Sequence, residues 1–147
     1  MQKYLLNTLL DLEFVEQSPK YHPEGNALFH SLQVFQLSFK LSNDPEIWAA
    51  SLFHDIGKAI DGPTHAEIGY EMLTGIFNEN VCWLVRHHLD LLTHSTRTKK
   101  ALNNSNRLKQ LSLLRHLDLK GRDSYSDVCS PDFAVAHVLQ HFSSIKA

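Results

Sequence analysis

Only two cysteines occur, Cys82 and Cys129, far apart and in no C-x-x-C arrangement. That excludes a disulfide framework and a zinc ribbon, and it fits a reducing compartment. No apolar run approaches the ~18 residues of a membrane-spanning helix, and the start, Met1 to Asn7, lacks an apolar h-region followed by a small-residue cleavage site. The expectation is a cytoplasmic, unexported protein without membrane contact. The formal net charge of -2 is not the strongly basic balance that a polyanionic backbone requires, so general nucleic-acid binding is not expected. A small anionic ligand held through a metal is compatible with it. Alternating strand patterns, internal repeats and low-complexity segments are also missing.

What is present is helical punctuation. At 147 residues the chain suits one domain, 1–147, able to bury roughly 68–70% of its unfolded surface. Leu5, Leu6, Leu9, Leu10 and Leu12 have helical spacing within 2–16 and are stopped by Pro19, Pro23 and Gly25. Residues 27–41 leave almost no polar face, which predicts a central, buried helix. Asn43 or Asp44 followed by Pro45 opens a third helix that ends near Gly57. Thr64-His65-Ala66-Glu67 reads as a capping box for a fourth, running to about Phe77. A fifth spans about 79–91, a sixth 106–120, and Ser130-Pro131 caps a seventh through Ile145. The polar stretch 93–106 reads as a loop. The expectation is an all-α domain of six or seven helices.

Histidine is abundant, with ten in the chain, and its order with aspartate carries the chemistry: His30, His54-Asp55, His65, His87-His88, Asp118. Imidazole nitrogen with carboxylate oxygen suits divalent transition ions such as Mn, Fe, Co, Ni or Zn better than Mg or Ca. Adjacent helical residues project about 100° apart, so His54 and Asp55 share an ion only if it lies over the helix end, where His30 and Asp118 complete the set. Asp55 has two oxygens and can bridge to a second ion held by His65 with His87 or His88. Two ions ~3.5–4 Å apart acidify a bridging water and clamp phosphoryl oxygens, which is a hydrolase design. An isolated His-Asp pair at a helix end is usually an exposed polar pair. An imidazole among Leu28, Phe29 and Leu32 is costly without a partner, however, and a metal supplies one. His137 and His141 have i, i+4 spacing but no zincin glutamate, and read as packing or surface residues.

The histidine, the His-Asp pair and the distant aspartate resemble the HD superfamily of metal-dependent phosphohydrolases. Four segments are more particular: Tyr21-His22-Pro23-Glu24-Gly25, the run from His54 to Lys58, His65 with Gly69 and Leu73, and Leu117-Asp118-Leu119-Lys120-Gly121-Arg122. Over about 20–125 these resemble the C-terminal HD domain of bacterial CCA-adding tRNA nucleotidyltransferases. The resemblance implies phosphatase, 2'-nucleotidase or 2',3'-cyclic phosphodiesterase activity on a nucleotide-like substrate, with one or two divalent ions, two being favoured. His30, His54, Asp55 and Asp118 would hold the first ion and His65 with His88, or His87, the second. Asp55 and Lys58 would be catalytic, with Lys58 and Arg122 meeting substrate and His22 and Glu24 meeting substrate or completing a ligand shell. The chain has no nucleotidyltransferase head, so CCA addition is not expected. No Gly-Tyr-Pro motif supports a cyclic-di-GMP phosphodiesterase, and Ile56-Gly57-Lys58 replaces the Glu-Asp continuation of guanosine tetraphosphate hydrolases. The same ligand order fits a mixed-valent di-iron oxygenase, distinguished by oxygen-dependent turnover, and a non-catalytic metal-containing binding module. A homodimer is compatible with all three.

Overall fold

A computed structural model describes residues 1–147 and contains helices and turns with no strand. Nine α-helices follow one another: α1 (Gln2–Leu10), α2 (Ala27–Leu41), α3 (Pro45–Phe53), α4 (His65–Leu73), α5 (Glu79–His87), α6 (Asp90–Thr93), α7 (Ser95–Ala101), α8 (Asn106–Lys120) and α9 (Pro131–Gln140). Three 3-10 turns, Asp11–Phe14, Ile56–Ala59 and Phe142–Ser144, extend the ends of the longer elements. No helix is long and apolar enough to cross a membrane.

Starts are set where the sequence supplies an acceptor for orphan amides. Asn26, Asn78, Ser105 and Ser130 each accept from the amide three residues on, at 2.8, 2.9, 3.1 and 3.1 Å. Asp44 caps α3 by accepting from Glu46 N at 2.9 Å, with Pro45 at the first helical position. Each such cap contributes about 1 kcal/mol. The capping box expected at Thr64 does not form. Asp61 takes both the Thr64 amide, at 3.2 Å, and the Thr64 hydroxyl. Glu67 pairs with Arg86 on α5 at 2.8 Å.

Two further expectations are corrected. Half of the stretch 93–106 is α7, whose buried residue is a threonine, Thr98. Its helicity therefore left no apolar period to read. The fifth segment stops at His87, and α6 resumes at Asp90 as a separate turn. These two short helices raise the count from seven to nine.

The core is one cluster of 28 apolar residues. α2 is central: Leu28, Leu32, Val34 and Phe35 are buried and the helix packs on α3 and α8. α4 and α5 pack against each other beside them, while α1 packs against α9. A polar lock ties three helices at one side of the core. Glu46 accepts from Asn78, Asn80 and Gln110 at 3.0–3.1 Å. The consequence for function is that α2, α3, α4, α5 and α8 all bring an end or a face to one point.

Candidate metal centre

At that point stand His30 from α2, His54 and Asp55 just past α3, His65 from the first turn of α4, His88 just past α5, and Asp118 near the end of α8. Every one is buried. The imidazoles are oriented by backbone. Nδ1 of His54 lies 2.8 Å from Ser51 O, Nδ1 of His65 2.7 Å from Gly62 O, and Nδ1 of His88 2.7 Å from Val85 O. Nδ1 of His30 lies 2.8 Å from Gly121 O and 3.1 Å from Glu24 Oε1. A carbonyl only accepts, so each Nδ1 carries the hydrogen and each neutral ring turns a bare Nε2 inward.

Those Nε2 atoms meet only other acceptors. His65 Nε2 and His88 Nε2 are 3.2 Å apart, and Asp55 Oδ1 is 3.3 and 3.5 Å from them. On the other side His30 Nε2 is 2.7 Å from Asp118 Oδ1 and 3.9 Å from Asp55 Oδ2. His54 Nε2 is 3.3 Å from Asp55 Oδ2 and 3.5 Å from Asp118 Oδ1, aligned with neither, and is buried without a hydrogen bond. Converging lone pairs in a buried site repel unless a cation or proton lies among them. The donor set, imidazole nitrogen and carboxylate oxygen, is that of a divalent transition ion. His30-His54-Asp118 and His54-Asp55-His88 each bring ligand atoms within 4.8 Å of one another. The residues therefore fit a metal.

Without a metal the same field appears as protonation. Burial would lower His54, but the Asp55 charge and the Asp118 carboxylate outweigh it and push the ring up to about 10. Burial would raise Asp55 and Asp118, yet the histidines around them hold both far below the usual carboxylate range. His88 is lowered, chiefly by burial, which favours the neutral ligand form.

His87 is not part of this centre. Its Nδ1 bonds Asp90 Oδ2 at 2.7 Å and its ring lies 4.6 Å from Trp83, on the outer face of α5. The helix phase decides between the two neighbours: His88 follows the buried face of Val81, Leu84 and Val85, whereas His87 follows Trp83, four residues earlier.

A cavity of about 510 Å³ opens over the centre, lined by Asp55, His65, His88 and Asp118 and by the cations Lys58, Arg115 and Arg122. Lys58 Nζ is 3.2 Å from Asp55 Oδ2 and donates to Gln17 Oε1 at 2.8 Å. Arg122 donates to the carbonyls of Asp118 and Tyr21 at 3.3 and 3.1 Å. His22 lines the wall, while Glu24 does not. The Glu24 side chain is fully covered, accepting from His22 Nδ1 at 2.7 Å behind His30. Of its two expected roles, substrate contact or a place in a ligand shell, its position favours the second, because the ligand atoms of His22, Glu24 and His30 lie within 4.8 Å of one another. The turn at Pro23 and Gly25, whose φ of 115° suits glycine, folds Glu24 inward. Arg115 was missed in the sequence. Its signal is the three-residue offset from Asp118, which puts both on one face of α8, with Arg115 Nη1 3.8 Å from Asp118 Oδ2.

Comparison with known proteins agrees with this geometry. The HD domain family model matches residues 28–120, well over half of the chain. A 54-residue stretch is 46% identical to the multifunctional CCA protein of Thioalkalivibrio sulfidiphilus, covering 37% of this chain and 12% of that protein. A 49-residue stretch is 41% identical to the multifunctional CCA protein of Methylococcus capsulatus, covering 33% of this chain and 12% of that protein. The chain thus matches only about an eighth of the length of these relatives. HD domains bind divalent metals through such His/Asp clusters, and this chain belongs to the HD-domain family, within the superfamily of metal-dependent phosphohydrolases.

Proposed function

We propose that the chain, read as one HD domain with its motif-bearing core at about 20–125, hydrolyses a nucleotide-like phosphomonoester or 2',3'-cyclic phosphodiester. One observation carries this reading. The two oxygens of Asp55 face different ligand groups, Oδ2 toward His54 and His30, Oδ1 toward His65 and His88. That disposition would let Asp55 serve as a ligand on both sides, and three cations stand in the cavity above it.

His30, His54, Asp55 and Asp118 would hold one ion, and Asp55, His65 and His88 the other. Bound divalent ions supply an acidified water and an electrostatic clamp on phosphoryl oxygens. The chain's own residues do the rest. Lys58, kept 3.2 Å from Asp55 and tethered by Gln17, offers a compact point charge to a phosphoryl oxygen. Arg122, fixed through two carbonyls, presents its remaining guanidinium hydrogens as a second clamp. His22, with Nδ1 held by Glu24, keeps Nε2 available to a substrate hydroxyl. Orientation by such fixed groups lowers the barrier because no reorganisation is needed during reaction.

Elemental analysis of the purified protein, joined to assays on a 2',3'-cyclic nucleotide and a simple phosphomonoester, tests the reading. The expected result is near two equivalents of a transition metal with turnover of at least one substrate class. A fully metal-loaded protein inert toward both would overturn it.

A further inference from the structure

The cavity over the metal centre is much larger than a phosphoryl group requires, and its walls are of two kinds. One part is cationic, with Lys58, Arg115 and Arg122; the rest carries Leu89, Leu92 and Leu119. Two of these leucines are not core residues. Leu92 on α6 is 58% exposed and Leu119 on α8 is 46% exposed, although every leucine of the hydrophobic core is essentially covered. Single exposed leucines are ordinary on a protein surface. Two from different helices, joined by the half-buried Leu89 at the rim of a cavity with polar groups at its base, form the apolar portion of a ligand pocket. Leu119 directly follows Asp118 and Leu89 directly follows His88. The apolar surface therefore begins where the ligand set ends.

Arg115 supplies the polar counterpart. Its guanidinium reaches Asp118 Oδ2 only at 3.8 Å, through Nη1, so the planar fork is not consumed by the carboxylate. No other hydrogen bond engages it, whereas Arg122 is tied to two carbonyls and Lys58 to Gln17 and Asp55. An unconsumed fork beside the ligands is suited to bidentate contact with phosphoryl oxygens.

Resting on the phosphohydrolase reading, we propose that the substrate is a phosphate ester whose organic group presents an apolar face to Leu89, Leu92 and Leu119, with phosphoryl oxygens gripped by Arg115. A nucleobase or a comparable aryl group satisfies this; a small sugar phosphate or glycerol phosphate does not. Leu92 and Leu119 are then specificity residues and Arg115 a phosphoryl-binding residue.

Binding of two non-hydrolysable anions to the metal-loaded protein separates the claims. Phenylphosphonate and methylphosphonate share the charged head and differ in the apolar group. By calorimetry phenylphosphonate should bind about ten-fold tighter or more, since a buried phenyl face leaves water. Leu92→Ser or Leu119→Ser should cut that preference at least roughly three-fold, and neither substitution removes a buried side chain. Arg115→Gln should weaken both anions about ten-fold with the preference kept, and Arg115→Lys should recover part of the loss. Equal affinity of wild-type protein for the two anions, or a preference that survives both serine variants, overturns the apolar seat while leaving the hydrolase reading standing. Undiminished affinity in Arg115→Gln overturns the role of Arg115. Failure of the loaded protein to bind either anion would overturn the phosphohydrolase reading together with this proposal.

Discussion

Replacing Gly57 by alanine should damage the metal centre from a position that touches no ligand atom. Gly57 lies in the 3-10 turn that follows the His-Asp pair and packs against the first residue of α4. A β-carbon there would stand 2.9 Å from both the carbonyl carbon and the Cα of His65, and nearer still to its carbonyl oxygen. Carbon pairs prefer ~3.5–4.0 Å, so the carbons alone demand at least about 0.6 Å of separation and the oxygen raises that toward an ångström. None of these atoms is the far end of a flexible side chain, so the backbone has to move. Overpacking of this kind costs about 1–3 kcal/mol, equivalent to a fall in Tm of roughly 3–12 °C for a domain of this size. The functional effect should be larger. His65 Nε2 is 3.2 Å from His88 Nε2 and 3.3 Å from Asp55 Oδ1, and a shift near 1 Å takes it out of ligand range. A misplacement of that size costs about 100-fold in rate. Thermal melting, metal stoichiometry and turnover of Gly57→Ala should therefore show a moderate stability loss, one metal equivalent missing and a collapse of activity. Wild-type melting with full metal content would refute the argument from close packing.

Asp55→Ala should leave at most one weakly held ion, because the carboxylate faces both ligand groups; unchanged metal content on elemental analysis would contradict the bridging reading. His65→Ala and His88→Ala should each remove about one metal equivalent and keep the ion at His54, whereas His87→Ala should leave stoichiometry intact because its ring is engaged by Asp90 and Trp83. Equal losses from His87→Ala and His88→Ala in the same measurement would reverse that assignment. Glu24→Gln should weaken metal affinity about 10–100-fold, the usual cost of losing a partner that orients a ligand, as read by competition with a chelator. In chelated protein the raised His54 contributes stability that is complete below its ordinary value of 6.5 and lost as pH rises through about 10. Asp55 and Asp118, held low, contribute stability present above their ordinary value of 3.8 and lost as pH falls below it. Melting in chelator should therefore decline from pH 6.5 toward 9, and a flat profile over that window would show that His54 does not carry the proton.

The fold was most legible where capping chemistry and apolar content agreed. The bounds of α2 and α8 are read from their dense apolar positions, and the structure adds Asn26 and Ser105 as their caps. It was least legible where one polar side chain outcompeted another. At Thr64 a capping box was available in the sequence, but Asp61, three residues earlier, engages the same amide and hydroxyl. α7 lacks an apolar stripe altogether. For the site, the order of histidines and aspartates along the chain together with the family resemblance brought out residues that the structure gathers, yet it left His87 and His88 open. Following the buried face of α5 from Val81 through Leu84 and Val85 separates them. Arg115 went unread because a lone arginine on an amphipathic helix is ordinarily a solvated charge. The sequence leaves Glu24 open between substrate and a ligand shell because its place behind His30 depends on the Pro23-Gly25 turn, which directs the side chain inward rather than toward the cavity.

Anchoring the ring nitrogens to main-chain carbonyls has an evolutionary side. For His54, His65 and His88 the acceptor belongs to the residue three positions earlier, so the orientation of these three rings is written into local chain geometry and does not depend on the chemical identity of neighbouring side chains. Rim residues such as Leu92, Leu119 and Tyr21 share none of those bonds. On the proposed phosphohydrolase reading, a lineage carrying this arrangement could exchange them one at a time, admitting new organic groups on a phosphate ester while the histidine cluster stays unchanged.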